Sequence, residues 1–128
     1  MLKSYKELKV WQKAYQLCLQ IYKVTKGFPK EELFGITSQI RRSSLSIPCN
    51  VAEGYGRRSR LEYIRFLNIA YGSLCELETQ VLLSGDLNYF KERELKEVQT
   101  AVGEVERMLM ALIKSLGKTN KSLESLRQ

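Results

Sequence analysis

The sequence predicts an all-α protein, folded as an up-down-up-down antiparallel four-helix bundle. Apolar residues recur every three or four positions through most of the 128 residues, and no segment shows the alternation typical of a half-buried β-strand. Only short connections, near Pro29, Gly54 and Ser84-Gly85-Asp86, separate four periodic segments, which favours antiparallel neighbours. We expect residues 1–117 to form the bundle and residues 118–128 to be a loosely ordered tail.

The first helix is predicted from two adjoining apolar stripes. One stripe keeps spacings of three and four, and the other lies beside it at about 100° per residue. Their members are Leu8, Trp11, Tyr15, Cys18, Tyr22 and Thr25, and then Val10, Ala14, Leu17 and Ile21. The aromatic residues of this segment are expected in the core, which argues against a membrane-surface role.

The second helix is predicted to open at "FPKEEL" and to run toward Gly54. Pro29 suits a first helical turn, and Glu31 and Glu32 complement the positive end of the helix dipole. Pro48 removes a backbone donor and clashes with the carbonyl of Ser44, so we expect this helix to be kinked or broken there. Small residues around Pro48 allow two readings, a tightly packed kink or a hinge used in function.

The third and fourth helices have clearer signals. Ser59 and Glu62 form a capping-box pattern that begins a helix running to about Leu83. The last segment keeps a three–four seam through its whole length, consisting of Leu95, Val98, Val102, Val105, Leu109, Leu112 and Leu116. Such seams fit the shallow crossing angles of a bundle.

Composition argues against catalysis. The chain has no histidine, which removes the commonest acid–base group and metal ligand. Its three cysteines, Cys18, Cys49 and Cys75, are widely spaced and too few for a Cys-only zinc site. We therefore predict no enzyme, no catalytic residue, no metal and no cofactor. No apolar run approaches the ~20 residues that span a bilayer, so a cytoplasmic protein without a membrane partner is expected.

Positive charge is concentrated in one half of the chain. The formal net charge is +7, and residues 1–65 hold 13 Lys and Arg against 5 Asp and Glu. An up-down-up-down order would gather most of this charge at the end of the bundle that holds the turn after Gly54. The cations of this basic pole are Lys3, Lys6, Arg57, Arg58, Arg60, Arg65, Lys114, Lys118 and Lys121.

A nucleic-acid site is predicted at this basic pole. Arg57, Arg58 and Arg60 surround the start of the third helix with forked donors that suit phosphate oxygens, and Tyr55 could stack on a base. We include Arg65, Lys3, Lys6, Lys114 and Lys118 in the same site. Two considerations oppose it: Glu62 competes for the helix N-terminus, and solvated loop arginines that repel unwanted partners are the alternative.

Arg41 and Arg42 lead to a different prediction. They lie about 20 Å from the turn along the second helix and level with Glu76 and Glu78 in an antiparallel hairpin. A carboxylate in the apolar arc of the third helix needs a partner, so we expect Arg41 or Arg42 to form a structural ion pair with Glu78 or Glu76.

The first and third helices are apolar over more than the roughly 100° that an ordinary surface helix needs. Some of these residues are therefore candidates for contacts with another subunit, and homo-oligomerisation is expected. The candidates on the third helix are Leu61, Tyr63, Phe66, Tyr71 and Leu83.

Three segments carry a family resemblance: "LKVWQKAYQL", "FPKEELFGITSQIRRSSLSIPCNVAEGYGR" and "LEYIRFLNIAYGSLCELETQ". Together they resemble the four-helix-bundle proteins encoded within intervening sequences of bacterial 23S ribosomal RNA. That family is similar to the accessory variability proteins of diversity-generating retroelements, which are pentamers that bind nucleic acid and associate with a reverse transcriptase. The resemblance implies the same fold, a homopentamer and a basic surface for RNA or DNA. Cys49 stands where such a motif commonly carries serine.

The leading functional hypothesis is a non-catalytic protein that binds nucleic acid, with RNA favoured over DNA, through phosphate contacts. The alternative is a protein-interaction scaffold or accessory subunit that docks a nucleic-acid-handling enzyme such as a reverse transcriptase.

Overall fold

Four α-helices build the protein. The computed structural model describes residues 4–118 with their side chains and the backbone as far as residue 127. The helices are α1 (Lys9–Val24), α2 (Ile36–Tyr55), α3 (Arg60–Asp86) and α4 (Glu92–Arg127). Short 3-10 turns lie at Tyr5–Glu7, Thr25–Gly27 and Lys30–Glu32, and the described residues contain no strand. The all-α four-helix prediction is confirmed, whereas the expected loose tail at 118–128 lies mostly outside the side chains described and stays a prediction.

The core lies where the four helices meet. α1 packs against α2 and α4, and α3 packs against the same two helices. Each helix contributes the residues of one face, which are fully buried, and the largest of them are Leu17, Ile21, Ile40, Ile47, Val51, Leu67, Leu74, Leu77, Val81, Val98, Val102 and Leu109. The predicted seam of α4 therefore faces the core at Val98, Val102, Val105 and Leu109.

In α1 the two predicted stripes separate. Val10, Ala14, Leu17 and Ile21 are buried. Tyr15 and Tyr22, predicted to lie in the core, are instead 44% and 39% exposed. Trp11 is half-buried and stacks on Tyr15 with 5.1 Å between ring centroids. Cys18 and Thr25 of the first stripe are buried as well, so only its aromatic residues are left at the edge of the bundle.

The start of α2 is later than predicted. "FPKEEL" forms a 3-10 turn at Lys30–Glu32, and the α-helix begins at Ile36. The backbone of Gly35 explains the offset, because its φ of −109° and ψ of −120° lie outside the helical region. Phe28 anchors the connection, since its ring packs edge-on against Phe90 at 5.0 Å.

Pro48 lies inside α2, which runs without interruption from Ile36 to Tyr55. The predicted break is therefore absent, and a bend of the axis at Pro48 stays a prediction. Polar side chains bond the backbone on both sides of the proline: Ser44 Oγ donates to the carbonyl of Arg41 at 2.9 Å, and Asn50 Nδ2 donates to the carbonyl of Ser46 at 2.8 Å. Neither bond reaches the carbonyl of Ser44, which is the acceptor whose helical donor Pro48 removes.

Small residues let α2 and α3 approach closely. A Cβ atom on Gly54 would lie 2.8 Å from Cβ of Phe66 and 3.2 Å from the carbonyl oxygen of Tyr63. Further along the same pair, the hydroxyls of Ser46 and Ser73 are hydrogen-bonded at 2.8 Å. Since the residue numbers rise on one helix as they fall on the other, α2 and α3 run antiparallel. The up-down-up-down order of all four helices stays a prediction.

α3 continues three residues past the predicted end at Leu83 and closes with a Schellman motif. Tyr89 N donates to Ser84 O at 2.9 Å, and Asn88 N donates to Gly85 O at 3.0 Å. Asn88 supplies the left-handed residue with φ of 63°. Gly85 also allows α4 to pack closely, because a Cβ there would meet Leu95 Cδ2 at 2.9 Å. This contact fixes the register between α3 and α4.

Candidate nucleic-acid interface

The turn between α2 and α3 presents the arginines of the basic pole. The amide of Arg57 donates to the carbonyl of Gly54 at 3.1 Å, which closes the end of α2. Ser59 then caps α3, because its hydroxyl accepts from the amide of Glu62 at 3.0 Å. Arg57 and Arg58 therefore lie between two helix ends that are held in place, with Arg60 in the first turn of α3.

Two arginines converge on one aromatic ring. The guanidinium carbons of Arg57 and Arg65 lie 4.8 Å and 4.6 Å from the centroid of the Phe66 ring. Phe66 is half-buried beside Gly54, and its Cβ would collide with any side chain at that position. Cation–π attraction and this packing hold both guanidinium groups against the bundle surface. We call Arg57, Arg65 and Phe66 the arginine clamp.

Each arginine of the clamp also has a carboxylate partner. Arg57 Nη2 lies 2.7 Å from Glu53 Oε1, and Arg65 Nε lies 2.7 Å from Glu62 Oε2. The hydrogen bond from Arg65 is the main cause that lowers the pKa of the Glu62 carboxyl below its ordinary value of 4.5. Both pairs are exposed to water, so each contributes little to stability. The side chain of Glu62 thus serves Arg65, and only the Ser59 half of the predicted capping box is observed.

Arg58 and Arg60 complete the cluster of arginines at this turn. Arg58 is exposed and Arg60 is partly exposed. Within the described part of the chain, neither forms an ion pair with a carboxylate. Their guanidinium groups can therefore bind an anion without displacing a protein partner.

Tyr55 lies at the inner edge of this surface. Its ring meets Tyr63 edge-on, with 6.1 Å between centroids and an interplanar angle of 88°. Tyr63 is half-buried, and burial is the main cause that raises the pKa of its hydroxyl above 10.0. The Tyr55 side chain is itself only partly exposed. A base that stacks on Tyr55 would therefore meet a ring that already contacts Tyr63.

The predicted lysines lie on other segments. Lys6 is exposed in the 3-10 turn Tyr5–Glu7, which packs against α1 and α2. Lys114 and Lys118 are exposed on α4 and line one open groove of 470 Å³. The contact of Gly85 with Leu95 places the start of α4 beside the end of α3. The predicted position of Lys114 near the α2–α3 turn stays a prediction. Lys3 lies outside the described residues.

Arg41 and Arg42 do not form the predicted ion pair with Glu76 or Glu78. Arg41 turns toward α1 instead: its Nε donates to Thr25 Oγ1 at 2.8 Å, and its guanidinium carbon lies 5.1 Å from the centroid of the Tyr22 ring. Glu76, Glu78 and Arg42 are exposed, and none of them is ion-paired in residues 4–118. The prediction assumed that Glu78 was buried in the apolar arc of α3. Because its carboxylate is hydrated, it needs no partner inside the chain.

Groups that could support other chemistry are sparse. Within residues 4–118 no cluster of His, Cys, Asp or Glu has the geometry to hold a metal ion. All three cysteines are free, and burial is the main cause that raises the pKa of the Cys18 thiol. No helix in the described part of the chain is both long enough and apolar enough to cross a membrane.

Sequence reasoning missed Phe66 as the centre of the arginine clamp and assigned it to a subunit contact. Its spacing gave no signal, because Phe66 directly follows Arg65 and adjacent side chains on a helix do not ordinarily face each other. The contact with Arg57 depends on the close approach of α2 at Gly54, which no local pattern specifies. Thr25 as the partner of Arg41 was missed for the same reason.

Comparison with known proteins places the chain in a family. Residues 6–111 match the family model of the 23S rRNA-intervening sequence protein, so the chain belongs to that family. A crystal structure from Bacteroides thetaiotaomicron, of a protein of unknown function from the S23 ribosomal protein family, has a similar fold. It is 27% identical with a TM-score of 0.76, and the match covers 82% of this chain and 95% of that one. No curated protein matches the chain.

Proposed function

We propose that this chain is a non-catalytic RNA-binding protein that acts in the cytoplasm. In this proposal the basic pole contacts phosphates, and the protein works as a homo-oligomer, a pentamer by its family resemblance. The observation that carries the proposal is the arrangement of four arginines around the α2–α3 turn. Two of them are held on Phe66, and the other two form no ion pair with a described carboxylate.

Phosphate recognition follows from the chemistry of these side chains. A guanidinium group offers a planar fork of N–H donors that matches two oxygens of one phosphate. The arginine clamp reduces the freedom that Arg57 and Arg65 lose when they bind, because cation–π contacts already restrict them. A phosphate can replace Glu53 or Glu62 as their partner at little cost, since exposed ion pairs are weak.

Selectivity among base sequences is expected to be low. Arginines and lysines at a helix end contact the sugar-phosphate backbone of a nucleic acid. Such contacts position the nucleic acid but do not distinguish its base sequence. Tyr55 is the aromatic residue predicted to stack on a base, and its ring already contacts Tyr63. RNA is favoured over DNA because the family takes its name from 23S rRNA intervening sequences.

Binding of a fluorescent RNA hairpin, measured by anisotropy, tests this proposal. The triple variant Arg57→Gln, Arg58→Gln and Arg60→Gln should bind at least tenfold more weakly than the unchanged protein. Lys26→Gln, Lys30→Gln and Lys91→Gln, which removes three exposed charges near the opposite helix ends, is the matched control and should keep most of the affinity. Equal loss in both triple variants would mean that net charge, rather than the basic pole, governs binding.

The alternative function is an accessory subunit that docks a nucleic-acid-handling enzyme such as a reverse transcriptase. It draws support from the apolar residues that α1 exposes, among them Leu19 at 51% and Tyr15 at 44%. This alternative would be favoured if the purified protein does not bind the RNA hairpin at moderate salt but binds such an enzyme directly.

A further inference from the structure

Phe34 is the most exposed large apolar side chain described, with 92% of its surface open to water. It lies between the 3-10 turn Lys30–Glu32 and α2, directly before Gly35. Leu33 and Leu45 beside it are 48% and 47% exposed, and with Tyr22 they line an open hollow of 460 Å³. Single exposed apolar residues are ordinary, but a contiguous group of this kind marks a contact surface.

A matching hollow lies between α3 and α4. It has a volume of 210 Å³ and is lined by Val81, Leu82 and Val102, together with the polar residues Glu78 and Gln99. An apolar cavity of about 150 Å³ is enough to accept benzene. This hollow therefore has room for one phenyl ring, and Leu82 at its edge is 53% exposed.

The charges beside the two surfaces are opposite. Arg42 lines the hollow near Phe34, and Glu78 lines the hollow between α3 and α4. Both side chains are exposed, and neither forms an ion pair inside the described chain. An arginine and a carboxylate that meet across an apolar contact would fix its orientation and select the correct partner.

The two surfaces lie at the same height on different sides of the bundle. The antiparallel pairs Gly54–Phe66 and Ser46–Ser73 set the α2–α3 register, which puts Arg42 level with residues near 77 and 78. The Phe34 surface spans α1 and α2, whereas the hollow spans α3 and α4. One chain therefore cannot join its own two surfaces, but neighbouring copies placed side by side can.

We propose that Phe34 of one copy of this chain inserts into the α3–α4 hollow of the next copy, with Arg42 opposite Glu78. This contact is heterologous, so repeating it generates a ring when the rotation closes. Because the two surfaces lie at the same height, neighbouring copies would stand side by side with their bundle axes parallel. Every basic pole would then lie at the same end of the ring. This contact forms the interface of the homo-oligomer, so it rests on that part of the proposed function and not on RNA binding.

Light scattering and sedimentation at micromolar concentration test the proposal. Phe34→Ser and Arg42→Glu should each shift the particle from oligomer to the 14.8 kDa monomer, since both residues are exposed and the fold should persist. The double variant Arg42→Glu with Glu78→Arg should restore the oligomer by reversing both charges. Leu61→Ser is the control, because Leu61 was predicted from the sequence as a subunit contact but lies outside both surfaces. Leu61 is 65% exposed, and this variant should keep the oligomer.

Four results would overturn the proposal: a monomeric unchanged protein, an oligomeric Phe34→Ser variant, failure of the charge-swapped double variant to reassemble, or dissociation by Leu61→Ser alone. Circular dichroism of each variant shows whether its helices remain. RNA binding by the Phe34→Ser monomer is measured separately. Loss of the oligomer with residual RNA binding supports the interface, whereas an oligomer that ignores RNA counts against the proposed function alone.

Discussion

The guanidinium carbon of Arg57 lies 4.8 Å from the centroid of the Phe66 ring, although Arg57 lies in the turn after α2 and Phe66 belongs to α3. This contact exists because Gly54 lets the end of α2 approach α3. It links the packing of the bundle to the orientation of the cations at its basic pole. Loss of the ring or of the close approach should therefore change the surface that we propose for RNA.

Phe66→Leu tests the arginine clamp. Leucine keeps an apolar side chain at this position but has no aromatic face for Arg57 and Arg65. Each exposed cation–π contact contributes about 0.5–1 kcal/mol, and only part of this appears in binding, so we expect RNA affinity to fall roughly two- to fivefold. Anisotropy titrations measure the change. Unaltered affinity in a variant that unfolds at the usual urea concentration would contradict a role for the ring.

Gly54→Ala tests the close approach of α2 and α3. The added Cβ would lie 2.8 Å from Cβ of Phe66, so the helices must shift, at a cost of about 1–3 kcal/mol in the free energy of unfolding. Gly72→Ala is the matched control. It lies in α3 with nothing within 4 Å of the new Cβ, and alanine should stabilise the helix there by about 0.5–1 kcal/mol. Urea denaturation of both variants should give effects of opposite sign.

The carboxyl pKa of Glu62 reports on its hydrogen bond with Arg65. This pKa lies below 4.5 in the folded protein. Because the folded value is depressed, the linked stability is present above the unfolded pKa and is lost as the pH falls through the folded pKa. Arg65→Gln should raise the pKa of Glu62 toward 4.5, as measured by NMR titration of the carboxyl carbon. A pKa that stays depressed would mean that Arg65 is not its cause.

Arg41 and Glu78 distinguish the observed contact from the one that the sequence predicted. Arg41→Leu removes the hydrogen bond to Thr25 and the contact with Tyr22, and should lower the free energy of unfolding by about 1–2 kcal/mol. In the monomeric Phe34→Ser background, Glu78→Gln changes an exposed side chain that forms no ion pair within residues 4–118, and it should alter the free energy of unfolding by less than about 0.5 kcal/mol. Similar losses of unfolding free energy in the two variants would support the predicted ion pair between Arg41 and Glu78 over the observed contact with Thr25.

The fold was predictable because burying one face of each helix requires apolar residues at helical spacing, and this spacing is visible in the sequence. Val98, Val102, Val105 and Leu109 repeat at helical spacing and are buried in the structure. The same signal misplaced Tyr15 and Tyr22, since two adjoining apolar stripes do not reveal which one faces the core. The predicted helix boundaries were less accurate where the backbone conformation of a single residue sets the boundary, as at Gly35.

The candidate site was predictable in its residue types and less so in its contacts. Runs of arginine beside a helix start are visible in the sequence, but their partners depend on which helices approach each other. Glu62 was expected to serve the cap and instead accepts a hydrogen bond from Arg65. Arg41 was assigned to α3 and lies against α1, because side-chain length allows either neighbour and only the packed structure selects one.

The salt dependence of RNA affinity tests the central claim most directly. Each phosphate that the protein neutralises contributes a slope of about −0.9 on duplex and −0.7 on single strands when the logarithm of affinity is plotted against that of salt concentration. If the basic pole binds phosphates, the triple variant Arg57→Gln, Arg58→Gln and Arg60→Gln should lose about two units of slope, while the Lys26, Lys30 and Lys91 control keeps it. An unchanged slope in the arginine variant would contradict the account.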